Sequence, residues 1–238
     1  MGHERVPPGG GVMTTAVFVH GGWHGSWCWD LVRARLDEAA QPSVALDLPM
    51  TTLDEDARIV SEALQRLDDG AVVIGHSWGG SPMTLGASGR ENVRHLIYLA
   101  AFMLEAGIPV LDHATRKPTT GRPAATTVGD VSIVIPEAAI DTFYNDVPTA
   151  LATDAVGRLR PFHVSGWSRV ETTAIAAWRE VPTTYVVCTR DRAIHPDEQR
   201  EMAKNAGEVV EFDTGHSPFL SRPDLVAGLV ADHLRRYP

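Results

Sequence analysis

Cysteine is scarce: the 238 residues hold two, Cys28 and Cys188. They are far apart, and neither shows the CxxC or Cys/His spacing of a redox or metal site, so both read as free, buried thiols. Basic residues are also in short supply, 21 against 30 acidic ones for a formal charge of -9. No Lys/Arg cluster is dense enough to follow a phosphate backbone, which argues against nucleic acid or an anionic membrane surface as partner. No apolar run approaches the roughly 18 residues of a membrane span, and no signal-peptide core is present, so the expectation is a soluble, cytoplasmic protein. Internal repeats are absent. His95, His113, His163, His195 and His233 lack metal-ligand spacing, so neither a metal nor a cofactor is expected.

What is present is a nucleophile motif in the right surroundings. Ser77 lies in Gly75-His76-Ser77-Trp78-Gly79, after the apolar run 71–74 and before a stretch able to start a helix. Strand, tight turn and helix with a hydroxyl at the apex describe a nucleophile elbow, whose flanking glycines let the strained turn pass its neighbours. A second motif supports it. The apolar segment 14–19 ends in His20-Gly21-Gly22-Trp23, the kind of loop that supplies one backbone donor to an oxyanion hole, the other coming from the residue after the nucleophile. Those donors are expected to be the amides of Gly22 and Trp78. Taken alone, His20-Gly21-Gly22 also reads as a plain strand-to-helix turn.

Apolar runs alternate with amphipathic ones: strands at 15–19, 43–46, 71–74, 93–99, 184–188 and 208–212, with helices near 29–39, 53–67, from Ser81, and 223–236. This rhythm implies an α/β architecture, a mostly parallel sheet with helices on both faces. Residues 1–13 read as a flexible tail, with Met13 a candidate natural start and no role for His3. Core segments are expected over 14–103 and 182–238. Between them the rhythm breaks: 117–127 is rich in Pro, Thr and Gly, 131–135 resembles a strand, and 136–144 and 149–159 resemble short helices. An insertion of this length, 104–181, is expected to form a cap over the sheet's carboxyl edge, where ligands bind in open α/β sheets.

A serine hydroxyl needs a base, and the base a carboxylate, in the chain order Ser, acid, His on this type of fold. His216, in the loop after the last strand, is the expected base. Asp191, in the loop after 184–188, is the favoured acid, with Asp213 and Glu105 as contenders; Asp47 reads as a loop cap. His76 is expected to face the packed interior, and His24 to line the mouth of the site or serve the loop. Trp23, His24, Phe102, Phe143 and Trp167 are candidate pocket residues, and the Trp78 ring is expected to shape the acyl pocket. Aromatic walls favour an apolar or aromatic ester.

Together, HGGWHGSWCW at 20–29, GHSWGG at 75–80, TRDRAIHP around Asp191 and GHSP at His216 make a chain that resembles the α/β-hydrolase superfamily over nearly its whole core. More narrowly, it is similar to the branch of plant methylesterases, plant hydroxynitrile lyases and bacterial esterases, with Phe143-Tyr144-Asn145-Asp146 as a further shared cue. The resemblance implies an α/β-hydrolase fold, the triad Ser77, Asp191 and His216, and oxyanion amides at Gly22 and Trp78. Lyases of this branch carry Thr and Lys where this chain has Gly21 and Ser217, which disfavours cyanohydrin cleavage; Ser77 at the elbow argues against dehalogenase or epoxide-hydrolase chemistry. The expected activity is cofactor-independent hydrolysis of a small-molecule carboxylic ester or lactone by a monomer or homodimer. Alternatives are another reaction of the same triad, on a thioester, amide or C–C bond or as a lyase, or ligand binding on a hydrolase scaffold.

Overall fold

The computed structural model describes residues 13–110, 124–167 and 172–238; His3, His113 and residues 117–123 lie outside them. Six parallel strands, β1 (Thr15–Val19), β2 (Ser43–Leu46), β3 (Ala71–His76), β4 (Val93–Leu99), β8 (Thr183–Cys188) and β9 (Glu208–Phe212), form one sheet in the order β2-β1-β3-β4-β8-β9. Side chains alternate across it. Val17, Val19, Val73, Tyr98 and Tyr185 enter one apolar cluster, and Ala16, Phe18, Val72, Ile74, Ile97, Leu99 and Val186 the other. Burial on both faces explains why the strands read as unbroken apolar runs.

Helices α1 (Asp30–Glu38) and α8 (Pro223–Arg236) cover the second cluster through Val32, Leu36, Val226, Val230 and Leu234. Helices α2 (Leu53–Gln65), α3 (Gly80–Gly86) and α6 (Pro196–Ala203) cover the first through Val60, Leu64, Met83 and Met202. Helix α2 begins at a capping signal, Thr52 Oγ1 accepting from the Glu55 amide at 3.2 Å. A short helix α7 (Pro218–Ser221) precedes α8.

Between β4 and β8 the chain inserts β5 (Ala125–Val128), β6 (Val131–Val134), α4 (Pro136–Phe143), α5 (Thr149–Gly157) and β7 (Phe162–His163), the strands forming an antiparallel sheet β5-β6-β7. Strand β5 falls in a segment expected to be irregular. Its Thr-rich residues are exposed, and its conformation comes from pairing with β6 across a turn at Gly129, which adopts φ 63°. Two local expectations also shift. Strand β3 runs on to His76, directly into Ser77, and α3 begins at Gly80 after a 3-10 turn over Ser77–Gly79.

The strand order reverses at β1, whose successors β2 and β3 lie on opposite sides of it. The loops leaving β1 and β3 therefore diverge and leave a crevice at the carboxyl edge. Four non-glycine residues with positive φ occupy successive loops at that edge: Trp23 (61°), Met50 (56°), Ser77 (52°) and Ala100 (44°).

Candidate active site

Ser77 turns the chain at the end of β3 in the left-handed region, a conformation that costs on the order of 1 kcal/mol or more and persists only where its surroundings enforce it. Backbone contact enforces it here. A methyl group on Gly79 would sit 2.6 Å from both the His20 and Val19 carbonyl oxygens, so the turn is pressed directly against the end of β1. The Ser77 carbonyl accepts from the Phe102 amide at 3.1 Å, tying the same turn to the loop after β4.

The 20–24 loop lies against this elbow. A methyl on Gly21 would meet His76 Nδ1 at 2.8 Å and Ser77 Cβ at 3.0 Å, and one on Gly22 would lie 3.8 Å from Trp78 Cβ. Two histidines orient its peptides. His20 Nε2 accepts from the Leu48 amide (2.9 Å), so its proton is on Nδ1 and is donated to the Gly21 carbonyl (2.8 Å). His24 Nδ1–H donates to the Gly22 carbonyl (2.8 Å), while the His24 amide bonds Gly21 O (3.3 Å). In a trans peptide N–H and C=O point oppositely, so the two bonds to Gly21 O aim the Gly22 amide away from the histidines.

The other two titratable groups meet directly. His216 Nδ1–H donates to Asp191 Oδ2 at 2.7 Å, the two side chains being 3% and 0% exposed. Every lone-pair direction of that carboxylate is used: Oδ1 accepts from the amides of Ala193 (2.7 Å) and Ile194 (3.0 Å), and Oδ2 also from Gln199 Nε2 (2.8 Å). Gln199 further accepts from the Cys188 amide at 2.9 Å, locking the Asp191 loop to the end of β8. The base loop is joined to the elbow, since His76 Nε2–H donates to the His216 carbonyl at 2.9 Å. This bears out the interior placement of His76, which is fully buried. The contenders for the acid are otherwise engaged: Asp213 pairs with Arg190 (3.0 Å) and is largely exposed, and Glu105 pairs with Arg179.

Burial keeps the surrounding imidazoles neutral. It lowers His20 to about 4 and His24 to about 3, against the partial support of their bonds to carbonyls, and it pushes His76 well below the ordinary histidine value. Asp56 is the opposite case. Fully buried on α2, its carboxyl is pushed up to about 6 by burial, although Trp78 Nε1–H (2.8 Å) and the Met50 amide (2.9 Å) both donate to it.

Several expectations change. The Trp78 ring is 2% exposed, anchored on Asp56 and edge-on to Phe162 at 5.1 Å, so it belongs to the core and does not shape an acyl pocket. His24 does not line the mouth: it is 2% exposed with both ring nitrogens bonded, the second to Tyr144 Oη at 2.9 Å. Phe102 borders a cavity of about 500 Å³ with Met103, Leu104, Ile108, Trp178 and Met202, none of Ser77, Asp191 or His216 being part of its wall. Trp23, Phe143 and Trp167 do come together, Trp23 stacking on Phe143 at 5.6 Å and meeting Trp167 edge-on at 5.6 Å. Asp47 accepts from the Ser26 amide as a loop cap and also binds Arg160 of the insertion at 3.1 Å. Asp56, Gln199 and Arg160 escaped the sequence reading because no local motif marks a residue whose partner lies in another loop. Among the described residues no cluster of three His, Cys, Asp or Glu could hold a metal ion.

The chain is also similar to known proteins. Methylesterase 7 of Arabidopsis thaliana is 29% identical, the match covering 93% of this chain and 96% of that one. The α/β hydrolase nvfD of Aspergillus novofumigatus is 28% identical over 80% and 82% of the two chains. Among solved structures, polyneuridine aldehyde esterase superimposes with a TM-score of 0.82 at 19% identity, covering 93% of this chain and 99% of its own. With the alpha/beta hydrolase family model matching residues 16–229, the chain belongs to the alpha/beta hydrolase family.

Proposed function

We propose that the protein is a serine esterase, with Ser77 as nucleophile, His216 as general base and acid, Asp191 as the carboxylate orienting it, and the amides of Gly22 and Trp78 as oxyanion donors. One observation carries this reading. The buried His216–Asp191 pair at 2.7 Å is bonded through the His216 carbonyl to the residue preceding a serine held at φ 52°. A buried, fully satisfied carboxylate on Nδ1 fixes the imidazole tautomer that leaves Nε2 free to take a proton.

Ser77 Oγ attacks the ester carbonyl as its proton passes to His216 Nε2. The developing oxyanion is held by the two amides, whose dipoles are set in advance by bonds to the carbonyls of the same peptides, His20 Nδ1–H to Gly21 O and the Phe102 amide to Ser77 O. Imidazolium then protonates the leaving alcohol, and water, activated by the same base, releases the acid from the acyl-enzyme. All steps use groups of this chain.

Trp23 and Trp167, half-buried and packed on the buried Phe143 and Phe162 beside this centre, support an ester with an apolar or aromatic portion. The likeness to a methylesterase supports a small alcohol as leaving group. The insertion acts as a cap, its Arg160 reaching the His24 and Leu48 carbonyls. Turnover of p-nitrophenyl esters from acetate to octanoate tests the proposal, with Ser77→Ala alongside. Activity that falls on the order of 10⁴-fold in the folded variant supports it; turnover that survives the substitution refutes it.

A further inference from the structure

Four consecutive residues at the end of α4 reach three of the four loops that the proposed chemistry uses. Tyr144 Oη bonds His24 Nε2 at 2.9 Å. Because His24 Nδ1 faces a carbonyl, its proton is on that nitrogen, so Nε2 offers a lone pair and the tyrosine is the donor. Asn145 Nδ2 donates to the carbonyl of Arg190, the neighbour of Asp191, at 3.1 Å. Asp146 Oδ2 accepts from the amide of Gly215, the neighbour of His216, at 2.7 Å. Phe143 stacks on Trp23 and approaches the His216 ring at 5.9 Å. These loops leave β1, β8 and β9; the last two are tied to each other by the Arg190 amide on Thr214 O at 2.9 Å, and residues 143–146 join the β1 loop to both.

Resting on the serine-esterase reading, we infer that residues 143–146 are the positioning segment of the active site, setting the Gly22 oxyanion donor, the acid and the base in one arrangement, with Tyr144 acting through His24. The Tyr144 hydroxyl fixes the His24 ring, whose Nδ1–H fixes the Gly22 carbonyl, and the His24 amide helps hold Gly21 O and with it the direction of the Gly22 N–H. The contact at the base loop is equally close. A methyl on Gly215 would overlap Asn145 Oδ1 and lie 2.7 Å from Asp146 Oδ1, so the segment seats only against a glycine. Phe143 and Tyr144 are 5% and 1% exposed, leaving neither free to bind substrate as an open wall. A shift of about 1 Å in a positioned group costs about 100-fold in rate, so a segment that touches three of the loops carrying the chemistry acts on kcat more than on affinity.

The test compares Tyr144→Phe, Asp146→Ala and Asp146→Asn with wild type, measuring kcat and KM on a p-nitrophenyl ester, the rate of Ser77 labelling by an alkyl fluorophosphonate, and the melting temperature. The expected result is kcat and labelling rate both reduced about 10- to 100-fold in Tyr144→Phe and Asp146→Ala, with KM within about two-fold. Asp146→Asn keeps an acceptor for the Gly215 amide and is expected to regain most of the rate. If Tyr144→Phe does not fold, the Asp146 pair decides by the same readouts. Wild-type labelling rates in the folded variants, or losses confined to KM, would overturn the positioning role and leave the serine reading intact. A wild type that is not labelled at Ser77 would overturn both.

Discussion

Acid should destabilise this protein well above the pH at which an ordinary carboxylate is titrated. Lowering the pH from 7.5 to 5 protonates each histidine of the unfolded chain, whose ordinary value is near 6.5, while His20 (about 4), His24 (about 3) and His95 (about 3) stay neutral in the native state. For His95 burial is the main cause, reinforced by His233 and Arg236. The sign follows from linkage. Where the unfolded state binds more protons, stability drops as the pH is lowered, so these depressed histidines lose stability from about 6.5 downward. Each contributes about 2 kcal/mol of loss by pH 5, together about 6. Asp56 opposes them: its raised value of about 6 means the native state takes up a proton before the unfolded state does, returning about 1.4 kcal/mol. The net loss is about 4 to 5 kcal/mol, and His76, also depressed by burial, adds to it. Since domains are stable by only about 5 to 15 kcal/mol, this is a large fraction. Urea unfolding at half-unit pH steps measures it, with an expected slope equivalent to about two protons near pH 5.5. A free energy of unfolding that changes by less than about 1 kcal/mol between pH 7.5 and 5 would refute the claim that these imidazoles are held neutral.

Four substitutions probe other parts of the structure. Asp191→Asn places an amide NH₂ among four N–H donors and releases the His216 tautomer, so kcat is expected to fall about 10³- to 10⁴-fold; steady-state kinetics on the folded variant checks this. Asp56→Asn can accept from only one of Trp78 Nε1–H and the Met50 amide, and urea unfolding at pH 7.5 should register a loss of about 1 to 3 kcal/mol. Gly79→Ala forces a methyl against two backbone carbonyls and should cost about 3 kcal/mol or prevent folding. Gly228→Ala, in α8 with nothing near the added methyl, should raise stability by about 0.5 to 1 kcal/mol; calorimetry on the pair reads the contrast.

The insertion works against the idea of a detachable lid. Arg160 donates to the His24 and Leu48 carbonyls and to Asp47, its amide bonds the Trp23 carbonyl at 2.7 Å, and the His163 amide bonds the Met50 carbonyl at 3.0 Å. Two residues held at positive φ, Trp23 and Met50, thus have their carbonyls pinned by the inserted segment. Local strain at the catalytic edge is supported by contacts from a part of the chain more than a hundred residues away.

Local chemistry made much of this protein legible in its sequence. Apolar runs such as 71–74 show as strands because both faces of a parallel strand are buried, and Gly75 to Gly79 marks the elbow because backbone contacts there leave no room for side chains. The same locality placed Ser77, Asp191 and His216 at strand ends, where loops at one sheet edge must converge. Only the tertiary structure decided which carboxylate meets His216: Asp213 is three residues away in sequence yet turns to Arg190, while Asp191 is fixed by Gln199 and two amides. It also decided that the rings of Trp78 and His24 serve Asp56 and Tyr144 instead of a substrate wall. Hydrogen bonds between loops depend on the register of distant strands, and no pattern along the chain carries that register.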